Sequence, residues 1–594
     1  MELKERSKLK EEVKWDLRPV FADVSSWETA YAQAKQAVNA AGRAAGTLGR
    51  SAGSLKAGLD AVYDALEKVQ RVYLYASLLK SGDNGDSRYQ EMFARAMNLY
   101  VSLSAATAFV DPEILSIPEQ TLEAYLSGGL LKDYRHILGD ITRSRAHTLG
   151  EREELLLAKL GDAAQIPDDC FTMLESVDMR FPEVRDENGA SRQLTHGSFA
   201  AFRESASPEV RRQSFEKYFG EFQKYINTWA AMYGGSVKLD SYFAEVRGFE
   251  SPCQRALFSS NVPVFVYDGL VSSVRRGIPL MERYLRLRRR CLGLEELNAY
   301  DLYCPIVEDV QWKMGVEEAK ALVRQAAAPL GGEYARLLDR AFSERWMDLY
   351  ENKGKTTGAF SCGVYGVHPY VLLNFSGRLD DAFTMAHELG HAMHSYLSDA
   401  HQNFANHDYR ILAAEVASTV NEVLLTKYLL KQETDQKRRA YLLNHFLEGF
   451  RTTVFRQTLF AEFEREAHDL YQRGQALTAQ SLSALYHRLN AEYYPGVKAH
   501  PLQDIEWARI PHFYNAFYVY QYATGFCSAV AIAGRILETG DAGDYLRFLT
   551  TGGSMYPLDE LRIAGVDLTK PDTVDHALEV FGKTLEELEA LLGR

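Results

Sequence analysis

Apolar residues recur at intervals of three and four along most of this chain, the period of a helix with one buried face. Between 55 and 135 the pattern is clear: Leu59, Val62, Tyr63, Leu66, Val69, Val72 and Tyr73 fall on one side. Asp83-Asn84-Gly85-Asp86 interrupts it and separates two helices. Residues 26–52 are rich in Ala, Gly and Ser, which predicts a helix packed through small side chains rather than a linker. Residues 150–178 read as two more helices, and helices resume from 208. A second clear stripe is Ala382, Phe383, Ala386, Leu389, Gly390, Met393 and Leu397, with Asp380 or Asp381 available to cap its start. Residues 411–425 are apolar or small nearly all round, so that helix is buried.

The strand period appears in two places. Met179–Leu194 carries Arg180-Phe181-Pro182-Glu183-Val184, then Asn188-Gly189, then Arg192-Gln193-Leu194, and predicts a small β-hairpin. Pro369-Tyr370-Val371-Leu372-Leu373-Asn374-Phe375 predicts a strand with proline at its start, where a missing N–H is tolerated. Such a strand, running straight into the 382–397 helix, offers an edge on which an extended peptide can pair. The fold class is therefore mainly α: one helical body in two halves, with a small β-sheet next to that helix. Trp15-Asp16-Leu17 follows a charged N-terminal stretch and serves as an anchor to the body. No internal repeat or low-complexity segment interrupts the chain.

The 382–397 helix holds the chemistry. Thr384-Met385-Ala386-His387-Glu388-Leu389-Gly390-His391-Ala392-Met393-His394 contains His-Glu-x-x-His. Histidines four apart lie about one turn apart on one helix face, so both imidazoles reach a single ion. Glu388 projects beside that face, where it can hold a water at the ion. A hydrolytic zinc site has three protein ligands and one open position. The third candidate is Glu415, since a carboxylate in an apolar helix is costly unless paired or bound to metal. Glu422, two turns on, is placed to orient a ligand histidine from behind, or else belongs to an ordinary buried ion pair. His394 continues the histidine stripe and either supports a ligand or packs in the core.

Residues 510–525 read Ile-Pro-His-Phe-Tyr-Asn-Ala-Phe-Tyr-Val-Tyr-Gln-Tyr-Ala-Thr-Gly. If they are helical, Tyr514, Tyr518 and Tyr522 line one face, with Tyr520 to the side. Phenols facing a cleft can donate to a peptide carbonyl and to the oxyanion formed during amide hydrolysis, and His512 can donate to the substrate backbone. The bland alternative is an aromatic core stripe whose hydroxyls need partners.

Composition narrows the partners. The 594 residues carry a net charge of −13, which argues against nucleic acid, whose phosphates require a basic field. The one basic run, Arg275, Arg276, Arg283, Arg286 and Arg288–Arg290, reads as a solvated helix face or the wall of an anionic-ligand channel. The N-terminus lacks an apolar signal region and no stretch of 18 apolar residues occurs, so a cytoplasmic protein with no membrane partner is expected. Six cysteines (170, 253, 291, 304, 362, 527) form no Cys-x-x-Cys pair and fit reduced thiols.

Taken together, His387–His394, Pro369–Asn374, Glu415-Val416-Ala417-Ser418-Thr419 and His512–Gly525 resemble oligoendopeptidase F, the bacterial branch of the thimet-oligopeptidase family of zinc metallopeptidases. Gly552-Gly553-Ser554, Ala564-Gly565-Val566-Asp567 and Trp15-Asp16-Leu17 are similar too, so the resemblance spans nearly the whole chain. It implies a helical fold whose two halves enclose a deep channel, and one zinc ion held by His387, His391 and Glu415, with Glu388 as base. It also implies cytoplasmic endopeptidase activity on short unstructured oligopeptides. The opposing histidine and tyrosines of the family map to His512 and the Tyr514–Tyr522 run, with Tyr518 and Tyr522 the choices for the oxyanion. The histidine-to-tyrosine spacing is shorter here than in the thimet branch. The chain is accordingly divided into an N-terminal helical region, 1–200, and a catalytic region, 201–594. Two other readings compete: a zinc carboxypeptidase or dipeptidase on a related scaffold, with a cation such as Arg378 clamping the substrate's C-terminus, and a non-catalytic peptide-binding protein. Intact Glu388 argues against the latter, because holding a metal does not require that base.

Overall fold

Helices account for about 70% of the residues, as the three-and-four spacing requires. The computed structural model describes residues 3–307, 310 and 312–593; Met1 and Glu2 of the charged N-terminal stretch lie outside these. The contacts divide the chain into two units that alternate along the sequence: Met1–Ala146, Gln311–Tyr428 and Ile532–Val566 in the first, and His147–Val310, Leu429–Ala531 and Asp567–Arg594 in the second. Position 200/201 falls within the helix His196–Arg203 of the second unit. Among the described residues no helix is long and apolar enough to cross a membrane.

In the first unit, α1 (Val24–Gly42), α2 (Ala52–Gly82) and α3 (Ser87–Thr107) pack on one another. Asp23 caps α1 by accepting from the Ser26 amide, and Ser51 caps α2 with Ser54. Residues 24–42 are helical, as their small-residue composition predicts, and Ala34, Ala37 and Ala41 are buried. The break at 83–86 is real: Gly82 ends α2 and Ser87 begins α3. Trp15 is buried, with its ring on Phe360 and Tyr370, so the predicted anchor does reach the sheet. Asp348, wholly buried, accepts from Arg6 and from Lys355 at 2.7 Å, which ties the N-terminal stretch to the same sheet.

Among the described residues, seven short strands form three small sheets. In chain order they are β1 (Glu183–Arg185), β2 (Ser191–Gln193), β3 (Leu297–Asn298), β4 (Met347–Asp348), β5 (Phe360–Val364), β6 (Val367–Leu372) and β7 (Val497–Lys498). β1 and β2 make the predicted hairpin, with Gly189 at φ 77° in its turn. The sheet beside the motif helix has the order β4-β6-β5. This corrects two sequence expectations. The strand is Val367–Leu372, so Pro369 stands inside it rather than at its start; the register shift between Cys362 and Val364 of β5 faces it and relieves the lost donor. β6 is also the central strand, paired with β4 on one side and β5 on the other, so its edge is not free for a peptide. Among the described residues β4 and β5 are the edge strands of this sheet, each paired only with β6, and β5 packs against the motif helix.

The second unit is built on an aromatic core that includes Tyr218, Phe222, Trp229, Tyr233, Phe463 and Phe513. The arginine run belongs to this unit's own structure. Arg275 pairs with Glu462 and Glu492, Arg276 with Asp575 and Arg283 with Glu589, while Arg288 is buried against Glu448. The run is thus partly paired with carboxylates of its own unit, while Arg286, Arg289 and Arg290 stay exposed, as on a solvated helix face. The six cysteines are free thiols.

Candidate metal centre and active site

The motif helix spans Leu379–His401. Its start is held by Asp381, whose carboxylate reaches back to accept from the amides of Ser376, Gly377 and Arg378 at 2.7–3.0 Å. The helix then carries His387, Glu388 and His391 along one side. Its partner helix, Ile411–Gln432, carries Glu415 and Glu422. Gly390 sets how near the two can come. A Cβ there would meet the Ser418 Cα at 2.6 Å and the Ala417 carbonyl oxygen at 2.7 Å, closer than real Cβ contacts allow. Asn421 fixes the register by donating to the buried Ala386 carbonyl at 3.1 Å, and Tyr334 donates to the Asn421 Oδ1 at 3.0 Å. Sequence reading missed both residues. The signal for Gly390 was available, since a lone glycine inside a strong helical pattern asks for a packing reason.

His387, His391 and Glu415 come together so that one donor atom from each lies within 4.8 Å of the others. The two Nε2 atoms face each other at 3.2 Å, and the Glu415 carboxylate is 4.0 Å from the His387 Nε2. Two nitrogens bound tetrahedrally at about 2.05 Å from zinc would stand about 3.3 Å apart, so the pair already has ligand spacing. Glu422 accepts from the His387 Nδ1 at 2.5 Å, which leaves the Nε2 lone pair directed at the ion's place. Glu388 is mostly buried beside these groups.

The electrostatics describe a site short of positive charge. Burial lifts Glu388 to about 7, with Glu415 and Glu422 adding to the shift and His387 opposing it. Burial likewise raises Glu415. His387 is pushed up to about 9: burial alone would lower it, but the Glu422 hydrogen bond and the charges of Glu422, Glu388 and Glu415 prevail. Burial, helped by His387, lowers His391 to about 3. Glu388, Glu415 and Glu422 gather around two imidazoles in a largely buried place, a set of donors whose charge a divalent ion would balance. The donor set fits a metal.

His394 is not part of this group. It is buried, stacks on Tyr409 at 3.6 Å, and neither ring nitrogen finds a partner. It packs.

The late aromatic run is not one helix. Pro511–Tyr514 is a short 3₁₀ turn, Phe517 takes a positive φ of 59°, and the helix begins only at Tyr520 and runs to Thr539. The expected Tyr514, Tyr518, Tyr522 stripe is therefore broken. Tyr514 turns into the core, its ring 4.8 Å from Phe171. His512, Tyr518 and Tyr522 nevertheless cluster: the His512 Nε2 is 3.2 Å from the Tyr522 hydroxyl, and the two tyrosine rings are 5.5 Å apart. Burial lowers His512, which keeps it neutral. These three belong to the second unit, the metal group to the first.

The chain is similar to known peptidases over nearly its whole length. The sequence model of Peptidase family M3 matches residues 201–580, and that of Oligopeptidase F matches 113–181. Oligopeptidase PepF of Bacillus subtilis is 42% identical over 100% of this chain and 89% of its own. Among solved structures, a chain from Chlamydophila abortus aligns with TM-score 0.91 at 32% identity, covering 99% of this chain and 100% of that one. Oligoendopeptidase-F from Enterococcus faecium aligns with TM-score 0.75 at 34% identity, covering 96% and 99%. With a helical fold, a His-His-Glu metal group and a buried glutamate beside it, the chain belongs to peptidase family M3, in its oligoendopeptidase F branch, and is a metallo-endopeptidase.

Proposed function

We propose that this enzyme cuts internal bonds of short unstructured oligopeptides, with a single zinc ion held by His387, His391 and Glu415. The observation that carries the reading is the convergence of those three donors within 4.8 Å, with Glu388 adjoining. Zinc bound by these residues would supply Lewis acidity to the scissile carbonyl and to the attacking water. Glu388 takes the proton of the attacking water and later delivers it to the leaving amine. Glu422 holds the His387 ring and its tautomer. β5, whose outer edge has no strand partner, aligns the substrate backbone; its Ser361 amide faces Glu388 and favours the charged carboxylate.

His512 donates to the substrate backbone, and Tyr518 and Tyr522 donate to the developing oxyanion. The support for these roles is their clustering together with the family resemblance. Region 1–200 is then an N-terminal helical region and 201–594 the catalytic region along the sequence, and the enzyme works in the cytoplasm without nucleic-acid or membrane partners.

The deciding experiment is cleavage of an internally quenched peptide with both termini blocked, by the wild type and by Glu388→Gln, with the cut located by mass spectrometry. An internal cut that disappears in Glu388→Gln while zinc stays bound is expected. Trimming of the unblocked peptide alone would turn the reading to an exopeptidase, and no cutting of either with metal present would leave a peptide-binding protein. Tyr522→Phe should cost about a hundredfold in kcat if its hydroxyl serves the oxyanion. Full turnover in Tyr522→Phe, with loss in Tyr518→Phe, would transfer that role to Tyr518.

A further inference from the structure

The loop that carries His512 and Tyr518 has little backbone support of its own. Among the described residues, the amide of Asn515 bonds to the His512 carbonyl and that of Gln521 to the Tyr518 carbonyl, but no backbone acceptor serves the amides of Ala516, Phe517 or Tyr518. The centre of the loop is Phe517, a bulky residue held at φ 59°, a conformation that such a residue adopts only when its surroundings impose it. Its ring is buried, 4.7 Å from His468 and 5.8 Å from Tyr267. Its amide donates to the Glu464 Oε1 at 2.6 Å.

Glu464 is wholly buried in the helix Arg456–Gln472, and among the described residues no cation lies within hydrogen-bonding reach of its carboxylate. Its second oxygen has no partner, and the nearby Tyr233 hydroxyl has none either. A carboxyl so placed is expensive for core packing alone, where an apolar side chain of similar size would serve better. We infer that Glu464 is a positioning residue for catalysis: through the Phe517 amide it locks the loop that presents His512 and Tyr518 to the substrate. Burial holds the carboxyl well above the usual carboxylate range, and the Phe517 amide hydrogen bond opposes that shift. This inference rests on the proposed roles of His512 and Tyr518.

The test compares Glu464→Gln, Glu464→Leu and Glu464→Asp in the zinc-loaded enzyme, with His512→Ala and Tyr518→Phe run in parallel on the quenched peptide. Glutamine keeps a neutral acceptor at the same reach and should hold kcat within about threefold, whereas leucine removes the acceptor and should lower kcat by about a hundredfold, since small misplacements are that costly. KM and zinc content should stay near wild type in both, a split that general loss of structure would not give. If Glu464→Leu fails to fold, Glu464→Asp, which shortens the reach by one methylene, should show an intermediate loss of kcat with KM unchanged. Folded Glu464→Leu or Glu464→Asp with wild-type kcat, beside impaired His512→Ala and Tyr518→Phe, would overturn the positioning role and leave the site reading standing. Unimpaired His512→Ala and Tyr518→Phe would remove both.

Discussion

Glu422 bonds to the His387 ring but is not one of the three converging donors, so its removal would separate orientation from coordination. In Glu422→Ala the His387 ring loses the acceptor that fixes its tautomer, and metal affinity should fall by about 10- to 100-fold. Competition against a fluorescent chelator measures this, and an unchanged affinity would mean that packing alone orients His387. At this scale much of the site was legible in the sequence. Histidines four apart and a carboxylate in an apolar helix have few explanations other than a shared ion, and those residues do converge. His394 could not be read the same way. It continues the histidine stripe, and only the ring of Tyr409, distant in sequence terms from any visible signal, shows that it packs. Tyr514 is similar: its period matched a catalytic face, while Phe171 and the surrounding rings took it into the core.

The approach of two helices decides whether Glu415 reaches the ion, and Gly390 controls that approach. In Gly390→Ala the new methyl group would meet backbone atoms of Ala417 and Ser418 that cannot turn aside. The helices must part by several tenths of an ångström, at a cost of about 1–3 kcal/mol. A lower thermal midpoint together with weaker metal binding is expected, since Glu415 and Glu422 retreat with their helix. A lower midpoint with intact metal affinity would mean that the helix yields elsewhere. Helices and the hairpin were legible because periodicity and turn residues are local. The neighbours of a strand are not local: nothing in residues 367–372 says that β4 and β5 flank them, so the central place of β6, with no edge to offer, emerges only when the sheet is seen. The break at Phe517 was hidden for a related reason, because the amide of this positive-φ phenylalanine bonds to Glu464, more than fifty residues away.

At the scale of the whole chain, the metal donors and the His512 cluster belong to different units, although the chain passes between the units several times. Turnover and metal binding should therefore be separable by mutation. A ligand that binds only the folded state stabilises it by RT ln(1 + [L]/Kd), about 4 kcal/mol at a thousandfold excess over Kd. Stripping the metal should lower the thermal midpoint reversibly, and a second unfolding transition, if the units melt separately, should move little because all three donors lie in the first unit. His512→Ala, placed in the other unit, should lower kcat by about a hundredfold or more through the loss of a donor to the substrate. The same variant should show the full metal-dependent gain in midpoint. Weakened metal binding in His512→Ala would mean that the histidine acts on the metal group and not on the peptide. Unchanged turnover would mean that donors other than His512 meet the substrate. Calorimetry of the loaded and stripped forms, set beside kcat for wild type and His512→Ala, distinguishes these cases, because only a donor to the substrate changes rate while leaving the linkage between metal and folding as it was.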